Sequence, residues 1–214
     1  MPNWFLVVLI VVAALCQACA GSKNSIGPIA DKTKEQEWAD HSEGEYALRI
    51  LVPYGWETYN TDAGIVLNEM IGANAPDTPL HGLLIHVFVP DARQFRWPDE
   101  TDVNLAWYIL KQVVHNPDYV GNARISEPVA FDWDHHEAAY YLLNNLDGTV
   151  TMLLAMEMPN GRSLVVCHIS VPDDQTHRIR QEMPDLLATL TIDGQQIDVS
   201  ALRSLPDPLV FPEK

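Results

Sequence analysis

The densest group of chemically active side chains is Asp132-Trp133-Asp134-His135-His136-Glu137, where five of six residues carry a carboxylate or an imidazole. Such oxygen and nitrogen donors together suit Zn²⁺ or another first-row divalent ion. In an extended strand neighbouring side chains point to opposite faces, so Asp134, His135 and His136 can share an ion only across a tight turn. A solvated, polar hairpin tip is the competing reading. The stretch continues as His136-Glu137-Ala138-Ala139-Tyr140, a near-miss to the His-Glu-x-x-His of zinc proteases. Tyr140 stands where the second ligand belongs, and the segment reads as strand rather than helix, so the motif fails twice.

Two further histidines, His86 and His168, interrupt otherwise apolar runs. Facing each other on adjacent strands they would form a site; separately, each is a hydrogen-bonded core residue. The chain contains no Gly-x-Ser-x-Gly, no phosphate-cradling glycine loop and no dinucleotide fingerprint. Asp173-Asp174 lacks the spaced oxygen ligands of a calcium loop and reads as the start of a helix. No catalytic residue and no cofactor is assigned. Phe95, Trp97 and Tyr108 are hard to bury by pattern, and exposed aromatics are enriched at protein interfaces.

These groups must be positioned by a domain with a substantial apolar core. The strands read from the pattern are Tyr46–Val52, Ile65–Met70 and Leu83–Val89, the last apolar on both faces. Pro98 to Asp102 offers capping chemistry for a helix from about Val103, with Val103, Trp107, Leu110 and Val114 as its apolar stripe, stopped at Asn116-Pro117. A four-strand meander follows, over about Asn122–Phe131, Glu137–Asn144, Val150–Met158 and Ser163–Ser170. Its turns fall at Trp133–His136, Asp147-Gly148 and Asn160-Gly161. A closing helix opens at Pro172-Asp173-Asp174, carries Ile179, Met183, Leu186, Leu187 and Leu190 on one stripe, and meets a kink or restart at Pro184. Asp193-Gly194 ends it. The segment 195–214 is a proline-rich tail, within which Leu205–Pro212 is expected to lie irregularly along the surface.

The N-terminus supplies an address. Trp4 to Leu15 is an unbroken run of twelve apolar residues leading into Cys16-Gln17-Ala18-Cys19. About 20 residues are needed to cross roughly 30 Å of hydrocarbon, whereas about 7–15 suit a signal peptide. Ala18 makes Cys19 the acylation candidate, giving a lipoprotein leader over 1–18, palmitate-type acylation at Cys19, and a flexible tether over 19–44. A helical turn at Glu35 to Asp40 would let Trp38 dock. An ordinary cleaved signal or a retained anchor are the alternatives. With 13 basic and 29 acidic residues the chain carries a formal charge of −16. That charge repels anionic lipid and phosphate backbones, so no nucleic-acid partner is expected, and the lipid alone must hold the protein to its membrane. Cys167 reads as a buried, inert thiol, and no disulfide framework exists.

The order of elements, the strand exit Pro53-Tyr54-Gly55-Trp56 and the helix entry Ser170-Val171-Pro172 together resemble the PsbP-like superfamily, which includes PsbP, DcrB-type bacterial lipoproteins and the Ran-binding Mog proteins. The resemblance covers about 45–194. It implies an α+β fold, an α/β/α sandwich whose mostly antiparallel central sheet has about seven strands, with one helix mid-chain and one C-terminal. It also implies a non-catalytic domain that binds or stabilises another protein; here that partner is an envelope protein outside the cytoplasm. The alternatives are a divalent-metal protein or hydrolase using the Asp132–Glu137 loop, and a small-ligand receptor with a cleft between sheet and helix. Pro53, Gly55 and Trp56 read as structural. Mass spectrometry of the mature N-terminus is expected to show residues 1–18 removed and an acylated Cys19; intact Met1 without an acyl adduct would contradict it.

Overall fold

The long strands of this chain are apolar at consecutive positions, and their surroundings explain why. In the computed structural model, which describes residues 37–42, 46–69, 82–99, 103–116, 120–158 and 163–213, the main sheet is covered on both faces. The expected leader, Cys19, most of the tether, the loop after Met70 and the turn at Asn160-Gly161 lie outside these residues. Among those described, no helix is long and apolar enough to cross a membrane.

The elements are β1 (Trp38–His41), β2 (Leu48–Leu51), β3 (Trp56–Asn60), β4 (Gly64–Glu69), β5 (Leu84–Phe88), α1 (Leu105–Val114), β6 (Arg124–Ile125), β7 (Val129–Trp133), β8 (His136–Asn144), β9 (Thr149–Glu157), β10 (Leu164–Pro172), α2 (Thr176–Leu187), β11 (Thr191–Ile192) and β12 (Gln195–Gln196). The main sheet runs β3-β4-β5-β10-β9-β8-β6, with β7 also paired to β8, and a second sheet runs β1-β2-β11-β12. Every pairing in both is antiparallel. Along β8, Ala138, Tyr140 and Leu142 join a core with β2 and α2, while Ala139, Tyr141 and Leu143 join a separate core with α1. The fold is therefore α+β, helix on sheet on helix, as the resemblance implies.

Several elements differ from their sequence patterns. Trp38–His41 is a strand paired with Leu48–Leu51, not part of a helical turn. Its Ala39 and His41 are buried, so burial on the neighbouring strand overrides local propensity. Trp56–Asn60, read only as a strand exit, forms a hairpin with β4. The turn before it behaves as expected: Gly55 has φ +84°, and the Trp56 N–H donates to the Pro53 carbonyl at 3.1 Å. Gly64 admits no side chain, because a Cβ there would lie 2.0 Å from the Val87 carbonyl oxygen.

Helix α1 begins later than expected and is turned. Asn104 is its N-cap, its Oδ1 accepting the Trp107 N–H at 2.8 Å, and the Glu137 carboxylate accepts the Leu105 N–H at 2.6 Å. Its buried residues are Leu105, Ala106, Ile109, Leu110 and Val114, so Trp107 flanks the stripe instead of leading it. Small residues at the contact, with Ala106, Ala139 and Ala155 all in one cluster, bring helix and sheet close. Helix α2 runs unbroken through Pro184, with no restart. The proline lies in the last turns, where it removes a single backbone donor and is itself buried. Asp193-Gly194 does not end that helix; it makes the tight β11–β12 turn, with positive φ at both residues.

The C-terminal segment is the largest correction. The proline-rich tail 195–214 is not merely a surface segment: Ile197, Val199 and Leu202 are buried in the same core as α2, and so are Leu205 and Leu209 within Leu205–Pro212, the stretch expected along the surface. The Asp198 carbonyl accepts the indole N–H of fully buried Trp133 at 2.7 Å, and the Pro212 carbonyl accepts from Asn144 Nδ2 at 2.8 Å. Beyond Ser204 the segment has neither helix nor ladder, yet Leu205 and Leu209 are still buried. Leu202→Ala is expected to cost about 2–4 kcal/mol in urea unfolding; a loss under about 0.5 kcal/mol would mark the segment as a surface trimming.

Candidate functional site

The sequence-derived ligands of the Asp132–Glu137 loop are separated by the fold. Asp134 and His135 form a two-residue turn between β7 and β8, with φ of +53° and +66°, the geometry that matches strand twist. Asp134 Oδ2 accepts the Asp198 N–H at 3.4 Å, while His136 already pairs with Trp133 in the ladder. Glu137 is spent on the N-terminus of α1. Among the described residues no group of three or more His, Cys, Asp or Glu is placed to hold a metal ion.

His86 and His168 do meet. They are register partners on β5 and β10, on the same sheet face. The His86 ring stacks on Phe88 with centroids 4.6 Å apart, and its Nε2 lies 3.2 Å from the Thr61 hydroxyl. Burial, then the neighbouring His168 and His41, pulls the His86 imidazole down to about 4; burial does the same to His168. Both are neutral in the folded protein at neutral pH. Burial likewise pushes the Cys167 thiol up to about 12, which keeps it an unreactive thiol.

The three aromatics read as interaction residues come from two elements, Tyr108 from α1 and Phe95 and Trp97 from the segment before it. Gln112 of α1 clamps the segment before it: its Oε1 accepts the Arg96 N–H at 2.9 Å and its Nε2 donates to the Arg96 carbonyl at 2.7 Å. Phe95 and Trp97 flank that clamp and line a crevice with Ile109 and Leu164. Tyr108 sits one turn before Gln112 on the same side of α1. All three pack partly against the α1 core and stay partly exposed.

A cleft between helix and sheet, whose lining residues the sequence patterns did not single out, opens on another side of α1. Its volume is about 480 Å³, and it is lined by Trp107, Lys111, Val114 and His115 on the helix side. The opposite wall is Ile125, Ser126, Glu127 and Pro128, and Tyr141 of β8 also lines it. The register explains the opening. Ile125 partners Leu143 and Val129 partners Tyr140, so three residues, 126–128, stand against two, 141–142. That is a β-bulge, fixed by Pro128, which cannot donate to the ladder. Ser126 restores part of the pairing, its N–H donating to the Leu142 carbonyl at 2.9 Å and its Oγ accepting the Leu142 N–H at 3.0 Å.

Two features give this cleft chemical character. Tyr141 is 1% exposed, yet its hydroxyl has no hydrogen-bond partner among the described residues. An unsatisfied buried hydroxyl costs about 1–3 kcal/mol. Burial, reinforced by the Glu127 carboxylate, pushes its phenol up to about 12, so it remains a donor. The Lys111 ammonium stands 4.8 Å from the Trp107 ring centroid, a cation–π contact that leaves its charge at the cleft. Pro128, inside the run read as one strand over Asn122–Phe131, was the available signal for the bulge.

No protein-family model and no curated protein matches the chain. Solved structures similar to it include a cyanobacterial PsbP from Synechocystis, with 11% identity, 77% of this chain and 98% of that one covered, and a TM-score of 0.47. The Saccharomyces cerevisiae Ran-binding protein Mog1p has 12% identity, with 78% and 98% coverage and a TM-score of 0.45. LpqN of Mycobacterium tuberculosis, involved in cell envelope biogenesis, has 13% identity, with 75% and 92% coverage and a TM-score of 0.43. These neighbours include the PsbP and Mog-type folds that the sequence resembles.

The histidine pair has a consequence for acid stability. Each imidazole is held near 4 in the fold against 6.5 unfolded, so the unfolded chain binds more protons between those values. Their contribution is complete above about pH 6.5 and is lost as pH falls toward 4, by up to about 3 kcal/mol per histidine. Urea midpoints measured from pH 7 to 4 should fall more steeply in the wild type than in His86→Asn/His168→Asn; equal slopes would contradict this assignment.

Proposed function

We propose that this chain is an exported lipoprotein, anchored through an acylated Cys19 on the extracytoplasmic side of a membrane, whose domain binds an envelope protein without transforming it. The observation that carries the protein-binding reading is the aromatic band on α1. Phe95, Trp97 and Tyr108 pack against the α1 core with part of each side chain still exposed, and the Gln112 clamp fixes the backbone at Arg96, between the first two. Rigid, partly exposed aromatics give large contact area at small entropic cost, the property that makes them dominant contacts at interfaces. A surface with a formal charge of −16 keeps the domain soluble and away from anionic headgroups. The apolar run of Trp4 to Leu15 before Cys19 supports the anchor.

A small-ligand receptor is the second reading, favoured by the cleft of about 480 Å³ between Trp107 on α1 and the bulge at Glu127-Pro128. The two readings use different sides of α1 and are compatible. Crosslinking of intact cells, followed by capture from membranes, tests the first. The wild type is expected to recover a specific envelope protein, and Trp97→Ser/Tyr108→Ser to lose at least about fivefold of it. Capture that is unspecific, or unchanged in the variant, would remove the aromatic band as an interface.

A further inference from the structure

Two strongly exposed aromatic side chains stand where the N-terminal stretch joins the domain. Trp38, 41% exposed, opens β1, and Tyr54, 87% exposed, tips the Pro53-Tyr54-Gly55 turn after β2. Antiparallel pairing brings both to one end of the small sheet. Trp38 partners Leu51, and the Glu37 carbonyl accepts the Val52 N–H at 2.9 Å, so the turn starts beside the point of entry. The buried side chains of β1 and β2 are Ala39, His41, Leu48 and Ile50, which leaves the Trp38 ring on the outer face. There the Arg49 guanidinium lies 4.6 Å from the ring centroid.

The length of chain before Glu37 decides what meets this end. Residues 19–36 separate it from the candidate anchor and reach at most about 65 Å when fully extended. Because Glu37 is hydrogen-bonded to Val52, a membrane that holds Cys19 is tied to this end of the domain. Tethering makes the contact intramolecular, so a weak preference for the surface is enough to populate it. Tryptophan and tyrosine supply that preference, since their amphipathic rings settle at the level of the lipid headgroups. Arg49 is the one Lys or Arg of β1 and β2, and Asp40 engages it at 3.4 Å. The contact is therefore made by aromatic rings, not by a free cation attracted to anionic lipid.

We infer that this end of the small sheet is the membrane-facing surface of the protein, with Trp38 and Tyr54 resting in the headgroup zone of the bilayer that holds Cys19. This rests on the lipid-anchor reading and adds to it an orientation of the domain. The small sheet shares its core with α2, whereas α1 closes the core on the other side of the main sheet. Contact through Trp38 and Tyr54 thus leaves Phe95, Trp97 and Tyr108 open to an envelope protein.

The test places the full mature chain, purified with its acyl group, in phosphatidylcholine vesicles with and without lipid brominated high on the acyl chains, and compares tryptophan emission. Bromine quenches only indoles that rest on the bilayer. Trp38 is one of five tryptophans after Cys19, so the wild type should lose at least about a tenth of its emission. In Trp38→Phe, a change on the exposed face of β1 that leaves the fold intact, most of that loss should vanish. Tyr54→Ser should reduce the wild-type loss by about half. An equal loss in Trp38→Phe would mean that another tryptophan meets the lipid, and the orientation fails. Chains that float with the vesicles yet show no quenching overturn the orientation and leave the anchor standing. If envelope-protein capture is then also lost in Trp38→Ser/Tyr54→Ser, the patch is a protein interface. Chains recovered from membranes without an acyl group overturn the anchor and the orientation together.

Discussion

Strands that are apolar on both sides have to be covered on both sides, and that requirement organises this domain. Residues of β8, β9 and β10 alternate between two separate cores, one closed by α1 and the other by α2, the small sheet and the C-terminal segment. Burial of each large side chain contributes about 1.5–3 kcal/mol, so leaving either face bare would forfeit much of the stability. The covers are attached by specific polar contacts. Glu137 and Asn104 hold the start of α1, and Trp133 holds the C-terminal segment through the Asp198 carbonyl. Arg178 ties α2 to β4 through Glu69 at 2.7 Å and is itself forked onto Glu182.

The same constraint explains where function can sit. The α1 layer is a single helix of ten residues over a wide sheet. Its flanks are filled on one side by the Phe95–Trp97 segment, which Gln112 clamps in place. On the side of β6 and β7 the bulge at Glu127-Pro128 interrupts the sheet edge, and the flank stays open as the cleft over Tyr141. A rigid two-faced sheet thus fixes both the aromatic band and the cleft, while the residues that give them character lie on the helix and at a strand irregularity. This is the usual division between a scaffold and the sites built on it.

Much of the fold was legible in the sequence because hydrophobic runs report burial directly. The double-faced strand Leu164–Pro172 and both helices follow from that signal, whereas Leu84–Phe88 buries one face and only half-covers the other; Gly55 and the Gly148 turn follow from turn chemistry. The register of His86 against His168 was an open alternative until pairing was known, since sequence places residues on a face but not opposite a partner. The loop Asp132–Glu137 was conspicuous by composition, yet its groups serve the turn, the ladder and the helix cap. Composition shows which chemistry is available, not where the backbone directs it.

Read alone, the residues determined the acidic balance, the apolar run ahead of Cys19, the class of fold and the absence of familiar catalytic motifs, because charge, hydrophobic period and short motifs are local properties. Tertiary structure alone decided that the segment after Asp193 sends Ile197, Val199, Leu202, Leu205 and Leu209 into the core, that Trp38–His41 is strand, and that Trp107 faces a cleft. Each of those outcomes depends on a partner distant in the chain. Tyr141 makes the point most sharply: a tyrosine in an apolar strand carries no mark of its own, and only the bulge on the neighbouring strand, with α1 packed beside it, leaves its hydroxyl buried without a partner among the described residues.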